Sequence, residues 1–440
     1  MNSRIFRILA ARAALVLLLA THIDARATTE IQFWHAMEGV PAEALVQLVE
    51  RFNASQKLWQ VVPLFKGDYQ QTLEAGVAAA RAGKPPHLLQ VYEVGTAGMM
   101  ASHKLFKPLH QLAAENHIRL ETYAPSVAAF FSDASGKLLA LPFNHSTPVM
   151  YYNRDKFRKA GLDPDRPPKT WPELQVVLLA LYDAGEGCPY TTSWQSWVHL
   201  ENESAWHNHP FASENNGLGG TRAVLEFNSY LMVKHIALMS SWMKSRLFHY
   251  SGRTNQADTR FAAGECAVLT SSSAAYSSFM RAAAFKLGVA QLPYYDDFNK
   301  APYNTLIGGA GLWTMAGKST GDYAGVARFL AFLASPVVMA EWSEKTGYVP
   351  VTRGAFLALK NTGHFKENPD LEIAVNQLIG VKPGNYAKGV RLGNFPRIRD
   401  IIDEELELVW NGSKPPKAAL DDAVKRGNVL LRQFEKSPGF

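Results

Sequence analysis

The chain has 440 residues, 47% of them hydrophobic and 19% charged, with a formal net charge of +6. That composition is ordinary for a soluble globular protein with sizeable cores, and the length suggests two or three domains. Four arginines and one aspartate lie in the first 27 residues, so the charge falls from +6 to +3 beyond them; no basic block remains, and nucleic acid is not implied.

The first segment is not expected to join the fold. Arg4, Arg7 and Arg12 form a basic start, Ala13–Ala20 is apolar but too short to span a bilayer, and Ala25-Arg26-Ala27 is a small-x-small cleavage site. The expectation is export, a mature chain from near Thr28, and no membrane insertion of that chain. No cysteine lies near the cleavage site, so no lipid anchor is expected there.

Strand signals follow at Glu30–Trp34, Gln60–Phe65 and His87–Tyr92. Helical signals alternate with them. Pro41–Ser55 places Ala44, Leu45, Leu48, Val49 and Phe52 on one face, and Tyr69–Arg81 ends at Gly83 and a Pro-Pro pair. Gly95–His103 reads as a short helix. This alternation predicts a mostly parallel sheet flanked by helices. In such sheets ligands bind beyond the carboxyl ends of the strands, which directs attention to His35–Glu38, Lys66–Tyr69 and Glu93–Thr96.

Leu141–Asn153 stands apart. A turn signal at Pro142 precedes small polar residues, Asn144 to Thr147, and then a β-favouring run, Val149–Tyr152. This is what a chain needs to cross between two lobes beneath a cleft, although an ordinary loop and strand have the same pattern. The alternation then restarts. Thr170-Trp171-Pro172-Glu173 is a capping box for a helix to Ala184. Helices are expected at Thr221–Ser241 and Gln256–Ala263, and strands at Cys266–Thr270, Lys286–Leu292 and Thr305–Trp313. The last carries Gly308, Gly309 and Gly311, and glycines inside a strand mark close approach of a backbone or ligand. Asp322–Leu333, Pro336–Thr346, Arg397–Trp410 and Lys417–Lys436 complete the helices. Cys188 and Cys266 are the two cysteines, and an even count in an exported chain reads as one disulfide.

No enzyme motif stands up. A Gly-x-Ser-x-Gly nucleophile and a P-loop are absent from the sequence. His199, Glu203, His207 and His209 invite a metal reading, but their intervals do not match a helical ligand pair; no metal and no cofactor are expected. Asp403-Glu404-Glu405 with Glu407 reads as a solvated face of acids complementing a helix dipole. What remains is polar residues at strand ends and turns: Tyr69, Glu93, Ser146, Ser271–Ser273, Gly309, Tyr348, Arg397 and Arg399, with Trp194 and Trp197 nearby. Hydroxyls, a bare backbone N–H and a guanidinium suit a phosphate. A carboxylate, a tyrosine and tryptophans suit a polyol. Taken singly, Glu93 also reads as a solvated turn, and Tyr348 and Trp194 as plain core.

Several segments carry a family resemblance. They are Leu141–Asn153 continuing through Arg154-Asp155-Lys156-Phe157 to Ala160-Gly161-Leu162, Phe33-Trp34-His35, Gln90–Thr96, Pro210–Gly217, Ile307–Ala310, Lys345–Tyr348 and Arg391–Asn394. Together they resemble periplasmic solute-binding proteins of ABC importers, in the sugar-binding class, and among those the ones that take sn-glycerol-3-phosphate. The resemblance covers essentially the whole chain beyond the leader. It implies a two-lobed α/β fold with the ligand cleft between lobes. Residues 28–143 and 305–347 would form one lobe, and 144–304 and 348–440 the other. It implies a monomer in the periplasm that captures glycerol-3-phosphate or glycerophosphodiesters such as glycerophosphocholine. A permease pair with its ATPase would be the partner, and no catalysis is implied. Carried over by position, Tyr69 and Glu93 would hold the glycerol end. Ser146, Ser272, Gly309, Tyr348 and Arg399 would hold the phosphate, with the choice among Ser271, Ser272 and Ser273 open by one position. Trp194 would wall the cleft. His145 stands where the family has a second serine, which the resemblance ties to diester preference. A maltose-type receptor and a periplasmic glycerophosphodiester hydrolase are the alternatives. The first would not need Arg399, and the second would need a nucleophile or metal cluster.

Overall fold

The computed structural model describes residues 28–439. The segments read as an export leader and cleavage site lie outside the described residues. Among the described residues ten strands form two five-stranded sheets. They are β1 (Thr29–His35), β2 (Trp59–Phe65), β3 (Leu88–Tyr92), β4 (Leu141–Ser146), β5 (Pro148–Asn153), β6 (Tyr190–Thr192), β7 (Phe248–Tyr250), β8 (Val268–Ser272), β9 (Leu287–Gln291) and β10 (Gly308–Thr314). One sheet has the order β2-β1-β3-β10-β4 and the other β7-β6-β8-β5-β9.

Each sheet is mixed, where the sequence pattern suggested mostly parallel. β1 runs parallel to β2 and β3, but β10 runs antiparallel to β3 and β4. β6 runs parallel to β7 and β8, but β5 runs antiparallel to β8 and β9. Strand–helix alternation specifies parallel pairing only between strands joined by a local crossover. β5 and β10 instead arrive from the other sheet, and each enters against the local direction.

Leu141–Asn153 is therefore not a loop leading into one strand. It is two strands in two sheets, with Thr147 as the single residue between them. Pro142 lies inside β4, which is tolerated because β4 is an edge strand and its register slips opposite Ala310 and Gly311. Thr147 Oγ1 lies 2.5 Å from Thr305 Oγ1, so the two crossings between sheets are pinned to each other. In β5, Val149 and Tyr151 enter one core while Met150 and Tyr152 enter the other, the period-2 consequence of a strand buried on both faces.

Helices cover the sheets. Gly39–Ala54 buries the stripe read from the sequence: Ala44, Leu45, Leu48, Val49 and Phe52. The Thr170 capping box closes as expected, with Glu173 N–H donating to Thr170 Oγ1 and Glu173 Oε2 accepting from Thr170 N–H. One helix begins later than its apolar content suggested, at Tyr230 and not Thr221. Ala223, Leu225 and Phe227 are buried at a spacing of two, which is an extended period, and Leu225 bridges to Ala212. Phe395–Trp410 and Pro416–Lys436 pack on the core of the second sheet through Ile398, Ile402, Leu406, Leu420 and Leu431. Cys188 and Cys266 form a disulfide that joins the chain just before β6 to the chain just before β8. No single helix among the described residues is long and apolar enough to cross a membrane.

Candidate functional site

Between the two sheets lies a cavity of about 600 Å³. Its first wall comes from the carboxyl ends of β1, β2 and β3, which deliver Met37, Glu38, Asp68, Tyr69, Tyr92 and Glu93. The opposite wall comes from the second sheet and the helix Phe395–Trp410. All eight residues proposed from the sequence line this one cavity: Tyr69, Glu93, Ser146, Trp194, Ser272, Gly309, Tyr348 and Arg399. Of the serine run, Ser272 reaches the cavity, while Ser271 and Ser273 are buried beside it.

A hydrogen-bonded chain orients the first wall. Ala36 N–H donates to Gln90 Oε1 at 2.8 Å, and Gln90 Nε2 donates to Asn144 Oδ1 at 2.8 Å. Asn144 Nδ2 then donates to the Tyr69 hydroxyl at 2.9 Å. Tyr69 stacks on Tyr92 with ring centroids 5.6 Å apart, and Tyr348 stacks on Trp342 at 5.7 Å. Burial raises both the Tyr69 and Tyr348 phenols, so each keeps its proton and offers a hydroxyl donor. Gln90, Asn144 and Tyr92 were not singled out as site residues. Asn144 was visible only as part of a polar run, and its bonds to Gln90 and Tyr69 span 54 and 75 residues.

Arg399 is the central cation. Its Nε and Nη2 bond both oxygens of Glu201 at 2.7 and 2.8 Å, and Nη2 also reaches Glu93 Oε1 at 2.8 Å. Glu93 follows β3 on one side, while Glu201 and Arg399 lie on the other, so the pair spans the cavity. Burial raises the Glu93 carboxyl in spite of Arg399, because one guanidinium serves two carboxylates. Burial opposes the charge on Arg399, but Glu201 and Glu93 together push its pKa up, so it stays charged. Among the described residues Nη1 has no hydrogen-bond partner, which leaves one donor of this cavity-lining side chain unpaired. Glu201 carries no local sequence signal: it sits in a π-helical turn, Trp197–Asn202, 198 residues from its partner. A second guanidinium, Arg253, is held by both oxygens of Glu407 at 2.8 and 2.6 Å.

Two wall positions have constrained backbones. Trp194 has φ 54°, a left-handed conformation that a bulky residue adopts only under constraint. Its N–H donates to the Thr254 carbonyl at 2.9 Å, which helps hold it there. Gly309 has φ 98°, and a Cβ there would lie 1.8 Å from the Asn144 carbonyl oxygen. Ser146 is nearly buried at the end of β4, and the Ser272 hydroxyl accepts from Ala274 N–H at 3.2 Å, which leaves its proton free to donate.

Several expectations change. His145 does not face the cavity. It is fully buried against Phe131, and its Nδ1–H donates to the Gly308 carbonyl at 3.1 Å. Alternation along β4 turns Ser146 to the cavity and its neighbour into the core. The acids Asp403, Glu404, Glu405 and Glu407 do not share one solvated face, although Glu404 is exposed. Asp403 and Glu405 are buried, and Glu405 pairs with Lys414 and Arg426. His199, Glu203 and His207 lie in the second core. His199 Nδ1 contacts His235 Nε2 at 3.0 Å, and both Glu203 oxygens accept from Trp171 Nε1 at 3.1 Å. Among the described residues no group of three or more His, Cys, Asp or Glu side chains is arranged to hold a metal ion.

The burial of His145 has a measurable consequence. Burial lowers its pKa from 6.5 to about 4. As pH falls below the unfolded value, the unfolded chain takes up a proton that the folded chain refuses. The stability that His145 contributes at neutral pH is therefore lost between about pH 6.5 and about pH 4. His145→Asn keeps an N–H toward Gly308 and cannot titrate. Relative to wild type it is expected to gain roughly 2 kcal/mol on moving from about pH 7.5 to about pH 5. Urea unfolding at the two pH values measures this, and an unchanged difference between the two proteins contradicts it.

Comparisons with known proteins converge on one family. Residues 47–373 match the family model of bacterial extracellular solute-binding proteins. The chain is 49% identical over 426 residues to the sn-glycerol-3-phosphate-binding periplasmic protein UgpB of Yersinia pseudotuberculosis serotype I, covering 96% of this chain and 97% of that protein. It is also 49% identical over 428 residues to UgpB of Escherichia coli O6:K15:H31, covering 97% and 98%. Among solved structures, UgpB from Mycobacterium tuberculosis in complex with glycerophosphocholine superposes with a TM-score of 0.79 at 22% identity, covering 92% of this chain and 99% of that one. Maltose-bound MalE3 of T. maritima gives 0.73 at 18%, covering 92% and 100%. At these identities the two structures support the two-lobed fold alone.

Proposed function

The chain belongs to the bacterial extracellular solute-binding protein family, and from that premise we propose that it captures sn-glycerol-3-phosphate and glycerophosphodiesters such as glycerophosphocholine for an ABC importer. The observation that carries this reading is the meeting of all eight proposed ligand residues in one cavity of a chain 49% identical to proteins named for that ligand. In this reading Tyr69 and Glu93 hold the glycerol hydroxyls. The Ser146, Ser272 and Tyr348 hydroxyls, the Gly309 N–H and Arg399 Nη1 meet the phosphate, and Trp194 packs on the carbon skeleton. A cavity of about 600 Å³ has room for the second alcohol of a diester.

The same reading places a mature monomer in the periplasm, with its leader cleaved near Ala27. One lobe is built from 28–143 and 305–347, the other from 144–304 and 348–440. Ligand contact with both lobes favours the closed form, because only a ligand with different affinity for two states shifts them. The closed form is what a permease pair with its ATPase receives. The protein binds and delivers without chemistry.

Calorimetry with purified mature protein tests this against glycerol-3-phosphate, glycerophosphocholine, inorganic phosphate and maltose. Saturable binding of the two glycerol phosphoesters, with recovery of intact ligand, is expected. Binding of maltose alone would replace the reading with an oligosaccharide receptor. Release of choline or glycerol would make the protein a hydrolase.

A further inference from the structure

The cavity continues past the residues assigned to glycerol phosphate. Ser272 caps the short turn Ser273–Ala275, and the chain runs straight on into the helix Tyr276–Ala282. Ala274, Ala275, Ser278, Phe279 and Ala282 therefore extend one wall outward from the phosphate serine. Phe261 packs edge-on against Phe279, with ring centroids 5.2 Å apart, which draws the helix Gln256–Ala262 alongside. Its Thr259 and Ala262 join the lining. The facing wall is Met37, Glu38 and Pro41, at the start of the helix Gly39–Ala54. On that helix Glu43 accepts from both Nη atoms of Arg281 at 2.9 Å, which ties the two walls together.

This end has its own chemistry. Most of its lining is carbon, from Met37, Pro41, Ala262, Ala275, Phe279 and Ala282. Alanines in a cavity wall leave space that longer side chains would fill. Among the described residues no cation lines this end. The two guanidiniums of the cavity belong to the other one: Arg399 lies on the helix Phe395–Trp410, and Arg253 is held to that helix by Glu407. Two carboxylates remain. Asp258 accepts from Ser193 Oγ at 2.6 Å. Glu38 is exposed, makes no capping bond to the helix it precedes, and has no ion-pair partner among the described residues.

An unpartnered carboxylate beside an apolar wall suits one kind of cation best. A primary ammonium carries N–H donors, which carbon cannot satisfy. A quaternary ammonium carries none. Its methyl groups pack on carbon, and a carboxylate attracts its charge without a hydrogen bond. Resting on the glycerol-phosphoester reading of the same cavity, we infer that this end is the subsite for the second alcohol of a diester bearing a quaternary ammonium, and that Glu38 is the residue selecting for that charge.

Phosphate at Ser272 sets the ester oxygen of the second alcohol at the start of the Ala274–Ala275 wall. A short alkyl spacer then carries the head group between that wall and Glu38. The arrangement ranks the ligands. Glycerophosphocholine meets Glu38 with its cation and the alanines with its methyl groups. Glycerophosphoglycerol fills the same space with a neutral, hydroxylated head and gains no charge contact. Glycerol-3-phosphate leaves this end unfilled.

Calorimetry on the mature protein with these three ligands at neutral pH is the test. Both diesters share the glycerol phosphate, so the ratio of their affinities reports the head-group end alone. At about 0.05 M salt glycerophosphocholine is expected to bind roughly three- to tenfold more tightly than glycerophosphoglycerol, the scale of a partly solvated charge contact. The ratio is expected to shrink at about 0.5 M salt, where exposed charges are screened. Glu38→Gln keeps the shape, removes the charge and is expected to bring the ratio close to unity. Ala262→Leu fills the end of the wall and is expected to weaken both diesters several-fold relative to glycerol-3-phosphate. Equal binding of the two diesters by wild type, or a wild-type ratio in Glu38→Gln, overturns the role of Glu38. Diesters that keep their standing in Ala262→Leu overturn the placing of the subsite. If Ala262→Leu does not fold, the Glu38→Gln ratio decides, since that side chain is exposed and bears no packing. Failure of every glycerol phosphoester to bind instead overturns the reading of the cavity, and this inference with it.

Discussion

Arg399→Ala is expected to cost stability as well as binding. The Arg399 side chain is 13% exposed, Glu93 11% and Glu201 2%, so the guanidinium neutralises two carboxylates that water scarcely reaches. Removing one member of a buried ion pair leaves an uncompensated charge, with a typical cost of about 3–5 kcal/mol. Here two charges are left, about the same site. Urea unfolding of the ligand-free protein at neutral pH is expected to show a loss in that range. Calorimetry is expected to show affinity for glycerol-3-phosphate weakened by at least about 1.5–3 kcal/mol, the usual scale for a lost hydrogen bond to a charged group.

The two effects separate by a second change. Arg399→Ala with Glu201→Gln removes one stranded charge and is expected to regain part of the stability and none of the affinity. The stability loss is also expected to shrink in acid, where the stranded carboxylates take up protons in the folded state. An Arg399→Ala protein as stable as wild type would mean that the Glu93–Arg399–Glu201 contact is solvated in solution and contributes nothing.

The sequence made some of this legible and hid the rest for a physical reason. Local periodicity is written in consecutive residues. The helix Gly39–Ala54 buries the five side chains its 3.6-residue spacing implied, and Phe395–Trp410 shows its apolar stripe in the same way. The placement of Tyr69 and Glu93 was legible because strand ends can be located, and ligands gather there in α/β sheets. Pairing across the chain is not written locally. Glu201 and Asn144 were missed because each acquires its meaning from a partner far away in sequence. The acids at Asp403–Glu407 misled because helix-dipole logic assumes water around all of them, whereas Asp403 lines the cavity and Glu405 is buried in pairs with Lys414 and Arg426. His145 misled in the opposite direction. It stands where the resembling family has a second serine, which tied it to diester preference, but a strand sends neighbours to opposite sides and only Ser146 lines the cavity.

Gly309→Ala is the sharpest test of how closely the cavity floor is built. Gly309 lies in β10 opposite His145 of β4, with φ 98°. A methyl group there would stand 1.8 Å from the Asn144 carbonyl oxygen and 3.0 Å from its carbon. Both obstacles are backbone, so no side-chain rotation relieves them, and β4 must move away from β10. Asn144 holds the Tyr69 hydroxyl, so that displacement also moves Tyr69. The unfavourable φ alone costs about 1–3 kcal/mol, and the collision is expected to carry the total beyond about 4 kcal/mol. Gly317→Ala is the matched control. Gly317 has φ 80° with nothing within 4 Å of an added Cβ, so it reports the backbone cost alone and is expected to leave affinity unchanged. Thermal unfolding and calorimetry on both variants give the collision by difference. Equal losses of stability in the two, or wild-type affinity in Gly309→Ala, would show that β4 and β10 can part without disturbing the ligand.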